Sequence, residues 1–576
     1  MLKWLAFVLT LVATLWLGVV TAQPPAPLPA SAPASAFSAD RAMADVRAVA
    51  RAPHSTGSPE NAANIAYLVG RLEALGFTVR TSTSPLPQKG RQRLQDWGSP
   101  YFNDTRLTNI IALRPGRDPA APAVMVMAHH DSVWASPGAA DDGAGVAAAL
   151  EIARAIPRET QARDLVILLT DAEELGLYGA KAFFGTDKDN PTAGDPLAGR
   201  IGAIVNMETR GGGGRAYMFE TGPDAGKMIG LYQQAVAQPA TTSMAVKLYQ
   251  MLPNSTDYTA AIKRGIPGFN LAFTGRAGLY HSPLATADNL EVGSLQHLGS
   301  QGLDLTRALV TAAQLPASAP DVVFGDLFGV VTFAWPPLVG WGLVAIAALL
   351  IVAAGRSTGG QWRWAGVFGG MLDGLAFTAA AGALLYFGNL LSGADGETNY
   401  YDRLAALPRL ELQALLLFGA GFGVAMALLP RRRTLWDGWL GLALLSLILA
   451  VAVQIALPAG GAIFQLPLLA ATLAMVVASR APAVGTPVAM LTAIPALAWL
   501  GGLAHNILLG IGAGMPSVAA IFAPLTLLLL WPLVPRLSRR TAIVAALLCI
   551  TVAGGIALWV RLDPVAESVP PYPARK

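Results

Sequence analysis

At 576 residues the chain is too long for one core, and 53% hydrophobic residues with only 13% charged is too apolar for a protein that is soluble throughout. A net charge of +4 without any Lys/Arg run interleaved with aromatics excludes nucleic acid as an expected partner, and the single cysteine, Cys549, excludes an intrachain disulfide. The average conceals two unlike halves. Charges are frequent up to about Pro320, whereas beyond it long runs of Leu, Ala, Val and Gly are broken by short basic clusters.

In chain order, Lys3 and the apolar run Trp4–Val20 predict a signal segment over 1–22, either an uncleaved anchor or a signal peptide cut after Val20-Thr21-Ala22. The run is longer than a usual cleavable segment, which favours the anchor, and both readings export the residues C-terminal to it. Residues 23–37 are rich in Pro, Ala and Ser and read as a linker. A folded domain is expected over 38–316. It begins with a helix from Ser38 to Ala50 and a second from Pro59 to Leu75, with Ser58 as N-cap and Gly76 beyond. Strands are expected at Thr78–Ser82, Leu107–Leu113, Val124–Met127, Leu165–Leu169, Ile201–Val205, Arg215–Glu220 and Ile266–Phe273. Helices are expected from Asp142-Gly143 through Ile156 and at Val292–Ala313. Strands alternating with helices predict an α/β domain, a mixed, largely parallel sheet sandwiched between helices.

Clusters of imidazoles and carboxylates follow or adjoin three of these strands: His129-His130-Asp131-Ser132, Asp141-Asp142-Gly143, Asp171-Ala172-Glu173-Glu174 and Asn206-Met207-Glu208. Strand ends are where open α/β sheets place their ligands. Carboxylates gathered there repel one another unless cations sit among them, and mixed nitrogen and carboxylate donors without thiolates suit Zn²⁺ at a hydrolytic site.

Together with Asp142-Gly143-Ala144-Gly145, Glu174-Leu175-Gly176 and Tyr280-His281-Ser282, these clusters resemble the dizinc exopeptidase family of aminopeptidase Y and glutamate carboxypeptidase, and with the apolar C-terminal half its membrane branch of endoplasmic-reticulum metallopeptidases and vacuolar membrane proteases. The resemblance covers about Ser38 to Leu315. It implies two Zn²⁺, one held by His129 and Glu208, the other by Glu174 and His281, with Asp141 bridging. It implies further that Asp131 orients a ligand imidazole, that Glu173 is the general base, that Tyr280 helps the oxyanion, and that the Asp141–Asp142 bond is cis. Many family members carry Asp where this chain has Glu208.

Other residues carry blander expectations. His130 points away from its two neighbours if the segment is extended, and His54 and His297 read as packing residues. Arg210 and Arg215 flank Gly211–Gly214, either as ligands for a substrate carboxylate or as solvated arginines of a mobile loop.

A linker is expected at 317–327 and an all-α transmembrane bundle of about eight helices at 328–561, followed by a tail at 562–576. The apolar runs are Phe328–Ala354, Ala365–Leu391, Leu412–Leu429, Gly438–Leu457, Ala462–Ala478, Val484–Leu503, Ser517–Val534 and Thr541–Val560. Arg356 and Arg363, Arg431-Arg432-Arg433, Arg480, and Arg536, Arg539 and Arg540 fall in alternate loops, whereas Asp395, Glu397 and Asp402 fall in an opposite one. The positive-inside rule therefore places the N-terminal domain on the outer side of the membrane. Asp373 and Gln454 lie within spans and read as helix-packing hydrogen bonds.

The sequence thus predicts a membrane-tethered zinc exopeptidase, foremost an aminopeptidase. The alternatives are a carboxypeptidase, an enzyme like the glutaminyl cyclases, which share the fold with one metal, and a non-catalytic receptor or transporter. The expected partners are a peptide and the lipid bilayer; no pattern specifies an oligomeric state.

Overall fold

The computed structural model describes residues 2–563 except 190, 359, 397, 399, 429–433, 512–513 and 536. The basic cluster Arg431-Arg432-Arg433, Arg536, Glu397 and residues 564–576 of the expected tail lie outside the described residues. Among the described residues the chain forms two compact units, one comprising 23–334 and 400–405, the other 2–22, 335–398 and 406–563.

A seven-stranded sheet organises the first unit. Its strands are β1 (Thr78–Pro85), β2 (Arg106–Arg114), β3 (Ala123–His129), β4 (Leu165–Thr170), β5 (Ile201–Thr209), β6 (Gly213–Thr221) and β7 (Gly268–Gly275), in the order β1-β2-β4-β3-β5-β7-β6. The four central strands β4-β3-β5-β7 are parallel, and antiparallel pairings flank them on both sides. Parallel strands are covered on both faces, which explains why β3 is buried at every residue. Its side chains alternate: Val124, Val126 and Ala128 enter one core with the helices Ala39–Val49, Gly143–Ala155 and Val292–Thr311, while Met125 and Met127 enter the other with Tyr178–Phe184 and Asp257–Ile262.

Local chemistry starts the helices where the sequence predicts. Ser38 and Ser58 accept the main-chain N–H of Arg41 and Asn61. Asp142 caps Gly143–Ala155 by accepting from Gly145 N at 3.0 Å, and a Cβ at Gly145 would run into that carboxylate and displace the cap. The Asp141–Asp142 peptide bond is cis.

The expected linker at 317–327 differs from what is found. Val323–Leu327 and Val331–Trp335 pair as a two-stranded sheet, and the helix expected from Phe328 starts only at Val339. Pro336 and Pro337 intervene, and proline ends a strand while suiting the first positions of a helix.

In the second unit, eight helices among the described residues are long and apolar enough to cross a membrane: Leu2–Ala22 and seven in the C-terminal half. The run Ser517–Val534 is the exception, forming a 3₁₀ segment Pro516–Phe522 that continues as the helix Ala523–Leu530. At 2.0 Å and 1.5 Å per residue these together reach about 26 Å, near the ~30 Å of a hydrocarbon core. Gln454 donates to Pro337 O at 2.8 Å and accepts from Gln465 at 2.8 Å, which is the helix-packing role expected of it.

Candidate metal centre

The site is built on the C-terminal ends of the parallel strands. His129 is the last residue of β3 and lies in register with Thr170 at the end of β4, while Glu208 is near the end of β5. Two loops complete it: Asp141 precedes the capped helix, and Glu173-Glu174 follow β4. His281 lies beyond the turn Ala277–Leu279 with φ of 54°, a left-handed conformation sparsely populated by residues other than glycine.

Nε2 of His129 lies 3.1 Å from Oδ1 of Asp141 and 3.3 Å from Oε1 of Glu208. Nε2 of His281 lies 3.3 Å from Oδ2 of Asp141 and 3.1 Å from Oε2 of Glu174. The two oxygens of Asp141 thus face two separate pairs, each of one imidazole and one carboxylate. All five residues singled out as ligands meet here.

Their surroundings restrain them. His129 donates from Nδ1 to the main-chain oxygen of Asp131 at 2.9 Å, and the Asp131 carboxylate stands at 3.5 Å. That carboxylate also accepts the N–H groups of Glu173 at 3.0 Å and Glu174 at 3.4 Å, so Asp131 ties β3 to the loop after β4. Asp142 accepts from His129 N at 3.2 Å while capping its helix. The Tyr280 ring stacks on His281 with centroids 3.7 Å apart.

Burial of so many acids has electrostatic consequences. It pushes Glu174 and Glu208 each up to about 7, against the pull of the histidines, and pushes Glu173 well above the usual range with Glu208 adding to the effect. Burial opposes the charged imidazoles too, yet Glu208 for His129 and Glu174 for His281 hold both well above their ordinary value. Burial likewise opposes the Asp141 carboxylate, but His129 and His281 hold it below its ordinary value. His281 Nε2 and Glu174 Oε1 are buried without a hydrogen-bond partner. Orphaned donors of this kind, converging with hard carboxylates, fit Zn²⁺.

The remaining expectations divide. His130 is buried, with Nε2 at 2.9 Å from Thr108 O, and His54 and His297 are buried packing residues, so none of the three joins the site. Of the two arginines only Arg210 is beside it, 5.8 Å from the Tyr280 ring and hydrogen-bonded to the Tyr400 hydroxyl. Arg215 donates to Pro239 O at 2.9 Å instead. The glycine run is pinned, with Gly214 N donating to Glu291 at 2.7 Å and Glu291 N to Gly212 O at 2.9 Å. Sequence reasoning missed Asp257, buried and bonded to Thr170, and Tyr401, whose hydroxyl lies 3.3 Å from His281 Nδ1. It also gave Asp142 no role, although an Asp before a glycine-started helix signals an N-cap.

Residues 109–306 match the sequence profile of Peptidase family M28. The chain carries a peptidase family M28 domain. Endoplasmic reticulum metallopeptidase 1 of Homo sapiens is 29% identical over 304 residues, covering 50% of this chain and 32% of the relative. Vacuolar membrane protease of Candida dubliniensis is 30% identical over 263 residues, covering 45% of this chain and 27% of the relative. The chain thus spans about a third or less of the length of these curated relatives. Among solved structures, the M28 domain is similar to an aminopeptidase from Aneurinibacillus sp. strain AM-1, at 14% identity and a TM-score of 0.38 over 50% of this chain and 97% of that one. A glutaminyl cyclase from Porphyromonas gingivalis gives 21% identity and a TM-score of 0.35 over 47% of this chain and 98% of that one.

Proposed function

We propose that the chain is a membrane-tethered metallo-exopeptidase that holds two zinc ions and removes residues from the free N-termini of peptides outside the cytoplasm. The observation that carries this reading is the division of Asp141, whose Oδ1 faces the His129 and Glu208 pair and whose Oδ2 faces the His281 and Glu174 pair. One carboxylate shared between two otherwise complete half-sites is the arrangement of a two-metal centre. The M28 profile match and the two membrane-protease relatives support the same reading.

His129, Glu208, Asp141, Glu174 and His281 would hold the ions. Bound zinc supplies Lewis acidity and a water of lowered pKa. Glu173, whose main chain is fixed by Asp131 and whose carboxyl is pushed upward by burial and Glu208, is suited to accept a proton from water and return it to a leaving amine. Burial, with Asp141 and Glu174, pushes the Tyr280 phenol well above its usual value and keeps it a donor for a developing oxyanion. The five carboxylates Glu173, Glu174, Glu208, Asp131 and Asp141 would be only partly neutralised by two zinc ions, which favours an incoming α-ammonium over an α-carboxylate. Seating the peptide amine beside these carboxylates would disfavour substrates extended beyond that amine.

The test uses one short peptide in free, N-acetylated and C-amidated forms, digested with and without chelator and followed by mass spectrometry. N-acetylation is expected to stop cleavage, C-amidation to leave it intact, and chelation to abolish it. Cleavage that survives acetylation but stops on amidation would reverse the reading toward a carboxypeptidase and point to Arg210.

A further inference from the structure

Tyr400–Ala405 stands in the chain between the apolar helices Trp364–Asn389 and Leu407–Leu428, yet it folds with the M28 domain and packs against the turn Ala277–Leu279. It brings Tyr401 Oη to 3.3 Å from His281 Nδ1 and the Tyr400 hydroxyl to Arg210. The two tyrosine rings meet edge to face, with centroids 5.4 Å apart.

A metal-ligating neutral imidazole carries its proton on the nitrogen away from the metal, and the acceptor of that proton sets the ring's orientation. For His129 the acceptor is the Asp131 main-chain oxygen. For His281 the Tyr280 ring, stacked at 3.7 Å, fixes the plane of the imidazole. Stacking is indifferent to a half-turn about the Cβ–Cγ bond, which keeps the plane but carries Nε2 away from Glu174 and Asp141. A hydrogen bond at Nδ1 distinguishes the two orientations. Tyr401 is where such a bond is made.

We propose that Tyr401 is a positioning residue for His281: its hydroxyl accepts the Nδ1 proton, selects the ring orientation that turns Nε2 toward Glu174 and Asp141, and makes metal retention at that half-site depend on the segment Tyr400–Ala405. The proposal rests on the two-zinc reading above.

The test uses the full chain in detergent as wild type, Tyr401→Phe and Tyr400→Phe. Zinc content is measured across graded chelator concentrations, and the d–d absorption is recorded after loading with Co²⁺. Tyr401→Phe keeps the ring and its packing, so the metal-free melting temperature is expected to be unchanged. It is expected to release one of the two ions about tenfold or more readily, the usual scale for loss of a hydrogen bond to a ligand, and to alter the cobalt spectrum. Tyr400→Phe, which loses the contact to Arg210 and none to His281, is expected to match wild type in both. Retention of both ions by Tyr401→Phe at wild-type affinity overturns the proposal, as does an equal loss in both variants. Wild-type protein that binds no transition metal overturns the two-zinc reading itself, a result distinct from either.

Discussion

Asp141 and His281 meet through Oδ2 and Nε2 at 3.3 Å, while the other Asp141 oxygen is committed to His129 at 3.1 Å. An aspartate divided in this way is the element both half-sites share, so its loss differs in kind from loss of an outer ligand. Under the two-zinc proposal, Asp141→Asn removes the charge that both ions would need and is expected to drop zinc content from about two per chain to below one. Glu208→Gln is expected to weaken only the His129 half-site. Elemental analysis of the two variants decides it, and Asp141→Asn protein that keeps both ions would exclude a bridging role.

Glu173 makes no pairing with His129 or His281 at the distances Glu208 and Glu174 do, and its N–H is held by Asp131 at 3.0 Å. Glu173→Gln is therefore expected to leave zinc bound while kcat falls by roughly 10²–10⁴, the usual contribution of a general base. Activity within a few-fold of wild type, with zinc content unchanged, would assign the base elsewhere.

The site and its scaffold were legible in the sequence to different depths. Runs such as Val124–Met127 and Leu165–Leu169 announce central strands because burial on both faces requires uninterrupted apolar residues, and polar clusters adjoining them mark strand ends. The hairpin was hidden because its second strand, Val331–Trp335, lies inside the apolar run Phe328–Ala354, where strand and membrane helix share a composition, and its first, Val323–Leu327, is short and carries Gly325 and Asp326. Arg210 and Arg215 looked equivalent, five residues apart, until β6 carried Arg215 to Pro239. Tyr401 is 120 residues from His281 and sits among residues that read as a loop between spans, so no local pattern joins the two.

Glu220 offers a pH-dependent test away from the metal ligands. It is buried on β6, accepts from Asn270 at 2.8 Å, and is pushed up to about 7 by burial against an ordinary value of 4.5. The folded state therefore holds this proton more tightly than the unfolded chain does. The resulting stability is complete below about pH 4.5 and is lost as pH rises through about 7, amounting to about 3 kcal/mol at most. Glu220→Gln cannot titrate and keeps an acceptor for Asn270. Its melting temperature relative to wild type is expected to rise by roughly 5 °C between pH 5 and pH 8. A difference that stays constant over this range would show that Glu220 is ionised in the fold.

The distribution of charge between the apolar helices predicts a sidedness that can be tested. Arg356 and Arg363 bracket one connection between apolar helices, Arg480 ends the helix Gly461–Arg480, and Arg539 and Arg540 begin the helix Arg539–Leu562, whereas Asp395 follows the helix Trp364–Asn389 at the opposite end. Arginines are retained on the cytoplasmic side, so Asp395 is expected to face the same side as the M28 domain. The only native cysteine, Cys549, lies in an apolar helix and is replaced by alanine to give a silent background. Asp395→Cys gives up an exposed pair with Arg561 at 2.9 Å, a contact of little energetic weight. In intact cells or sealed vesicles of known orientation, a membrane-impermeant maleimide is expected to label this position from the outside and to label Arg480→Cys only after permeabilisation. The reverse pattern would place the arginines outside and the metal centre in the cytoplasm. Labelling of both from one side would mean that the short element Pro516–Leu530 is not what breaks the count, since it lies after both positions, and that a helix between Leu407 and Arg480 fails to cross.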